Sequence, residues 1–186
     1  MTLPNFLIIG VAKAGTTSLY HYLKQHPQIY MSPVKEPRFF GMGDGPPHPA
    51  YRGGYAPGTV TSRAAYEALF KGVVGEYAIG EATPSYLWWP KAAQQICTQL
   101  PDARLIACLR QPADRAYSSF LTCVRAGLEP CTNFARALRE EEKRFAANAN
   151  PSLFYTQRGL YYPQIKRYFD LFPRQQIRIY LYDDFS

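Results

Sequence analysis

The sequence predicts a three-layer α/β domain, a central parallel sheet with helices on both faces, and three observations carry that prediction. Short apolar runs of strand length alternate with segments of helical apolar spacing along most of the chain. Two of those runs, 5–10 and 104–109, pass straight into helices through turns that bear glycine or proline. Strands that alternate with helices in this way pair in parallel and are covered on both sides.

Residues 5–10 are too short and too apolar for an exposed helix and read as a buried strand, and 16–26 follow as a helix with Leu19, Tyr22 and Leu23 on one stripe. Residues 32–61 hold Pro46-Pro47-His48-Pro49 and Gly53-Gly54 and predict a long irregular loop, a kind of segment that is often functional. Helix 62–71 starts behind a Ser62 cap, 73–75 and 78–80 read as short strand pieces, and 90–99 is a helix with proline in its first turn. The run 104–109 is the next buried strand, and Pro112 opens a helix to about Arg125 that Gly127 stops. Residues 133–147 predict a polar helix whose run Glu140-Glu141-Glu142-Lys143-Arg144 reads as a solvated face. A stripe of Ile165, Tyr168, Phe169 and Phe172 makes 162–172 helical, and 177–182 is the last strand.

The 186 residues, 47% of them hydrophobic, can bury one sizeable core and fit a single domain over 1–186. The net charge of +7 attracts anions without naming one, and the 15% aromatic content suits a core and sugar stacking better than nucleic acid, so no nucleic-acid partner is expected. Cys97, Cys108, Cys123 and Cys131 lack the close paired spacing of metal sites and read as reduced thiols, although Cys123 and Cys131 could pair in an oxidising compartment. His21, His26 and His48 follow no ligand spacing, so no metal site is expected. Nothing approaches the roughly 18 apolar residues of a membrane span, and no charged leader precedes Phe6, so a cytoplasmic protein without a span is expected. The chain stops at Ser186 directly after a strand, which predicts that a C-terminal part is missing.

The first strand-turn-helix reads Gly10-Val11-Ala12-Lys13-Ala14-Gly15-Thr16-Thr17-Ser18. Glycines let the backbone curl so that successive N–H groups and a helix N-terminus face one anion, while Lys13 adds a point charge and the threonines add hydroxyl donors. The ATP-binding phosphate loop uses the same physics, but there the lysine follows the second glycine and a hydroxyl ligates magnesium, whereas here Lys13 precedes Gly15. A tight turn that merely contains lysine is the alternative. In the second unit Arg110 stands at a strand end, the ligand edge of an open parallel sheet, and its planar fork suits a phosphate. Ser118 lies two turns into the following helix; the alternative makes it an ordinary surface serine and Arg110 a partner of Asp114.

Residues 6–20 resemble the 5′-phosphosulfate loop of sulfotransferases that use 3′-phosphoadenosine 5′-phosphosulfate (PAPS), particularly the heparan sulfate branch and its bacterial relatives, and 104–118 resemble the 3′-phosphate segment of the same family. The resemblance implies a sulfotransferase fold like that of the phosphate-loop NTPases, with Lys13, Ala14, Gly15, Thr16, Thr17 and Ser18 around the 5′ end of the donor and Arg110 and Ser118 at its 3′-phosphate. Pro33-Val34-Lys35-Glu36-Pro37-Arg38-Phe39-Phe40 is similar to the segment that supplies the family's base, which implies Glu36 as base and Lys13 as the group neutralising the leaving oxygen, with no metal. The alternative makes Glu36 a surface partner of Lys35 or Arg38 on a proline-bracketed turn. Gly80-Glu81-Ala82-Thr83-Pro84-Ser85-Tyr86 also resembles the family, but Ala82 stands where the heparan branch often has lysine, and the role of Arg158-Gly159-Leu160-Tyr161-Tyr162 stays open. The family continues into a C-terminal loop with lysine and glycine that this chain lacks, and an N-terminal anchor removed from the protein would place it in the Golgi lumen instead of the cytoplasm.

The resemblance implies transfer of a sulfuryl group to a hydroxyl or amine of a glycan, lipid or small-molecule acceptor. Two rivals remain open at this point: an ATP-dependent phosphotransferase, which needs a carboxylate such as Glu81 for magnesium, and a non-catalytic anion- or glycan-binding module.

Overall fold

Every residue of Phe6-Leu7-Ile8-Ile9-Gly10 lacks a polar side chain, and the segment becomes β1 (Phe6–Gly10), buried throughout. The computed structural model describes residues 2–43 and 55–184. In chain order the remaining elements are α1 (Thr16–Lys24), β2 (Ile29–Met31), α2 (Arg63–Ala68), β3 (Ala78–Ala82), α3 (Ala92–Gln99), β4 (Arg104–Leu109), α4 (Pro112–Arg125), α5 (Phe134–Ala146), α6 (Tyr161–Phe169) and β5 (Ile177–Leu181). The five strands form one sheet in the order β2-β3-β1-β4-β5, all neighbours parallel.

Alternation along β1 divides the core into two layers. Leu7 and Ile9 pack with Ile96 of α3, Tyr66 of α2 and Tyr168 of α6, whereas Phe6 and Ile8 pack with Tyr20 of α1 on the other face. The predicted three layers are therefore present. A third apolar cluster, built from Phe120 of α4, Ala137 of α5, Leu153 and Tyr155, carries the helical layer beyond the sheet.

Caps fall where the sequence places them. Ser62 accepts a hydrogen bond from the N–H of Ala65 at 3.2 Å, Asn133 accepts from Arg136 at 3.0 Å, and Pro112 occupies the first turn of α4. Past the end of α4, Gly127 has a φ of 67°, which glycine adopts without strain.

Two expectations need correction. Residues 73–75 are a turn rather than a strand piece: Val74 is 90% exposed and its N–H donates to the Glu76 carboxylate at 2.8 Å. The strand beside β3 is instead β2, only three residues long, paired through Ile29, Tyr30 and Met31. The run 140–142 is not all solvated, because Glu141 is 3% exposed and accepts the N–H groups of Thr156 and Gln157 at 2.9 Å. Its neighbours Glu140 and Glu142 do point away from the core, since adjacent residues on a helix face different directions. Of the predicted 32–61 loop, the Pro46-Pro47-His48-Pro49 and Gly53-Gly54 stretches lie outside the described residues.

Candidate active site

The order of the strands makes β1 the point from which the chain is wound in both directions, and in open parallel sheets that is where the carboxyl ends of the strands leave a ligand crevice. The turn from β1 into α1 lies there. Gly15 caps α1 in the left-handed region at φ 74°, and Lys13 itself sits at φ 73°. Ala14 is wholly buried and anchors the turn in the core, Thr16 is buried, and Thr17 and Ser18 are exposed on the first turn of the helix. The first-turn N–H groups of α1 thus have a glycine-cleared approach with positive dipole behind them, as anion recognition requires.

The segment that carries Glu36 is tied to the end of β3: the Glu36 N–H donates to the carbonyl of Ala82 at 2.9 Å. Its carboxylate meets Lys35 at 3.1 Å and Arg38 at 2.5 Å. Burial alone would raise this carboxyl, but the Arg38 guanidinium and the Lys35 ammonium outweigh burial and hold it below the ordinary range. Glu36 is therefore ionised at neutral pH and able to accept a proton. Both ion pairs foreseen as the plain alternative form, yet they do not take Glu36 out of the site. Glu36 and Arg38 share with Lys13, Trp88, Trp89 and Arg158 the wall of one cleft of about 550 Å³. Arg167 of α6 donates to the carbonyls of Leu87 and Trp88 at 2.8 and 3.2 Å, which fixes the backbone that carries the two indoles. A second cavity of about 590 Å³ opens at the other end of the sheet beside Asn5, Arg104 and Gln176, and none of Lys13, Glu36, Arg110 and Ser118 lines it.

The two sequence motifs meet through the sheet. Arg110, one residue beyond β4, donates from its guanidinium to the carbonyl of Lys13 at 3.4 Å and lies over the Tyr182 ring at 4.6 Å. Its own carbonyl accepts from the Tyr161 hydroxyl at 2.8 Å. The backbone N–H of Asp114 donates to the Gln111 side chain at 3.0 Å, which caps α4. Ser118 is half-buried on α4 and stands outside the lining of the cleft, whereas its neighbour Ser119 lines it.

Glu81 takes a position the sequence does not disclose. It is 0% exposed at the end of β3, and its carboxylate accepts the hydroxyls of Tyr86 at 2.7 Å, Thr83 at 2.8 Å and Tyr66 at 3.3 Å. Burial pushes this carboxyl up to about 7 against the three hydroxyls, which favour the charged form. A carboxylate so enclosed is not presented to a nucleotide-bound magnesium. Among the described residues no three His, Cys, Asp or Glu side chains gather as a metal site would need.

A model of the sulfotransferase family matches residues 4–158. The chain belongs to the sulfotransferase family. Its fold is that of a sulfotransferase from Alicyclobacillus acidocaldarius, whose crystal structure superposes with a TM-score of 0.90 at 40% identity, covering 100% of this chain and 75% of that one. It is 34% identical to the membrane-associated sulfotransferase kil1 of Dictyostelium discoideum over 64% of its own length and 23% of that protein. It is 32% identical to human heparan sulfate glucosamine 3-O-sulfotransferase 6 over 63% of its own length and 30% of that protein. The chain thus spans about a quarter to a third of these curated relatives. No helix among the described residues is long and apolar enough to cross a membrane.

Trp88, Trp89, Ser119 and the enclosure of Glu81 are features of this site that the sequence motifs do not name. The tryptophans stand in Tyr86-Leu87-Trp88-Trp89, directly after a segment already noted, so their nearness to the site was available as a signal. For Ser119 the signal was helical phase, because Arg115, Ala116, Ser119, Phe120 and Cys123 form the buried stripe of α4.

Proposed function

We propose that the protein transfers a sulfuryl group from PAPS to a hydroxyl or amine of a glycan or small-molecule acceptor, with Glu36 as base and Lys13 as the cation at the leaving oxygen. One observation carries this reading: Lys13 and Glu36, far apart in sequence, line one cleft beside a glycine-capped helix N-terminus. The residues present fit the donor, since the turn from Lys13 to Ser18 offers backbone and hydroxyl donors to its 5′ end and Arg110 offers a fork at the neighbouring strand end for its 3′-phosphate. Ser118 belongs to this proposal as a second 3′-phosphate contact from α4.

PAPS supplies an activated sulfuryl group bound to a phosphate oxygen. Glu36 takes the proton of the acceptor O–H or N–H as the new bond to sulfur forms, and Lys13 balances the negative charge left on the phosphate oxygen when its bond to sulfur breaks. The Arg38 and Lys35 pairs keep Glu36 charged and aimed, at the expense of some basicity. Trp88 and Trp89 offer flat apolar faces of the kind that stack on sugar rings or other flat acceptors.

Calorimetry with the product nucleotide 3′-phosphoadenosine 5′-phosphate, with ADP as control and no added metal, tests the donor site. Micromolar binding that needs the 3′-phosphate and falls at least tenfold with Arg110→Ala is expected. ADP binding as tightly, or only with magnesium, would overturn the reading in favour of a phosphotransferase. Glu36→Gln should retain nucleotide affinity and lose turnover; unchanged turnover would remove Glu36 from the role of base.

A further inference from the structure

Glu36 and Arg38 both have positive φ, 61° and 54°, although neither is glycine. Side chains hold that region only where the surroundings impose it. The supports of this segment converge on one buried group. The Arg38 N–H donates to the Thr83 hydroxyl at 3.3 Å, and Thr83 donates its own hydrogen to Glu81 at 2.8 Å. The Phe40 N–H donates to the Tyr86 hydroxyl at 3.4 Å, and Tyr86 donates to the same carboxylate at 2.7 Å. Between these two contacts the Phe39 ring stacks on Tyr66 at 4.5 Å and 14°, and Tyr66 is the third hydroxyl on Glu81.

We infer that Glu81 is a positioning residue for the base segment, acting through Thr83, Tyr86 and Tyr66 to hold Glu36 and Arg38 in their strained backbone over the cleft. A hydroxyl has one hydrogen, so once it is given to Glu81 only lone pairs remain toward the loop. In its ionised form the Glu81 carboxylate only accepts, and so turns two hydroxyls into acceptors for two backbone N–H groups. A group that must donate at that place reverses at least one relay and leaves the N–H of Arg38 or Phe40 facing a donor. Deep burial raises the strength of each link and the penalty for breaking one.

The catalytic arm of the test rests on the proposed sulfuryl transfer; a second arm does not. Glu81→Gln, Thr83→Val and Tyr86→Phe are compared with Thr83→Ser, which keeps the hydroxyl, after thermal melts establish that each is folded. Turnover with PAPS should fall about tenfold to a hundredfold in the first three, as a base displaced by a fraction of an ångström requires, while product-nucleotide affinity and acceptor KM stay as in wild type. Thr83→Ser should restore turnover. In parallel, 13C NMR of the glutamate carboxyls follows the titration of Glu36. With Arg38 released, Thr83→Val should move that titration upward and Thr83→Ser should leave it in place, whether or not the chain turns over PAPS. A wild type without sulfuryl transfer would sink the proposed function and leave this arm standing. Wild-type turnover and an unmoved Glu36 titration in Thr83→Val and Tyr86→Phe would refute the positioning role.

Discussion

Replacing Glu129 with Gln tests how the wall of the cleft is held. Glu129 is 6% exposed and accepts from Arg144 of α5 through both oxygens, at 2.6 and 2.7 Å, as well as from the Tyr155 hydroxyl at 2.7 Å and the Cys131 N–H at 2.8 Å. Burial opposes the charged form, but these hydrogen bonds and the guanidinium outweigh it and bring the carboxyl down from 4.5 to about 2. A depression of that size contributes about 3 kcal/mol of stability at neutral pH. Because the folded value lies below the unfolded one, the contribution is complete above the unfolded pKa and is lost as pH falls toward the folded pKa. About 2 kcal/mol of it should be gone by pH 3. Urea denaturation of wild type and Glu129→Gln at pH 7 and pH 3 reads this directly. The variant should be about 3 kcal/mol less stable at pH 7, and the gap should narrow to about 1 kcal/mol at pH 3. A gap that stays constant across this range would show that the carboxylate charge is not what holds Glu129 and Arg144 together.

Three further outcomes are expected. Gly80→Ala places a Cβ against the Phe6 ring across the β1–β3 pair and should cost about 1–3 kcal/mol by chemical denaturation, with a smaller loss if Phe6 is shortened to Leu in the same chain. Gly15→Ala forces a side chain into φ 74° and should cost about 1–2 kcal/mol in a thermal melt and weaken nucleotide binding in calorimetry, because the α1 N-terminus must reorganise. Glu141→Gln loses the charge behind its bonds to the N–H groups of Thr156 and Gln157 and should cost about 1–3 kcal/mol, with faster amide exchange at those two positions.

The parts of this molecule legible in sequence are those in which one residue type settles one local question. Apolar runs fixed β1 and β4, proline and glycine bounded α4, and glycines around Lys13 marked the anion turn. The parts that were not legible depend on partners distant in the chain. A strand of three residues such as β2 has too few positions for a period to register, and it exists because β3 is beside it. Glu141 looks like its charged neighbours until helical phase turns it toward backbone at 156 and 157. Glu81 reads as a strand-end carboxylate open to a metal, and only the arrival of Tyr66 and Tyr86 from either side closes it off. Arg115 is similar: a charged residue of α4, 1% exposed, whose guanidinium donates to the carbonyl of Tyr155.

The central place of β1 in the sheet bears on how the chain reaches this structure. It is synthesised before both of its partners, β3 and β4, which end at Ala82 and Leu109. A nascent chain must therefore carry an unpaired, wholly apolar segment at least until Ala82 has been made, which exposes it to intermolecular pairing and favours late, cooperative closure over stepwise growth. The anion turn hangs from this strand. Nucleotide bound as proposed would thus reward only a chain that has already completed its sheet, and product nucleotide added during refolding should raise the yield of finished molecules without hastening the first steps.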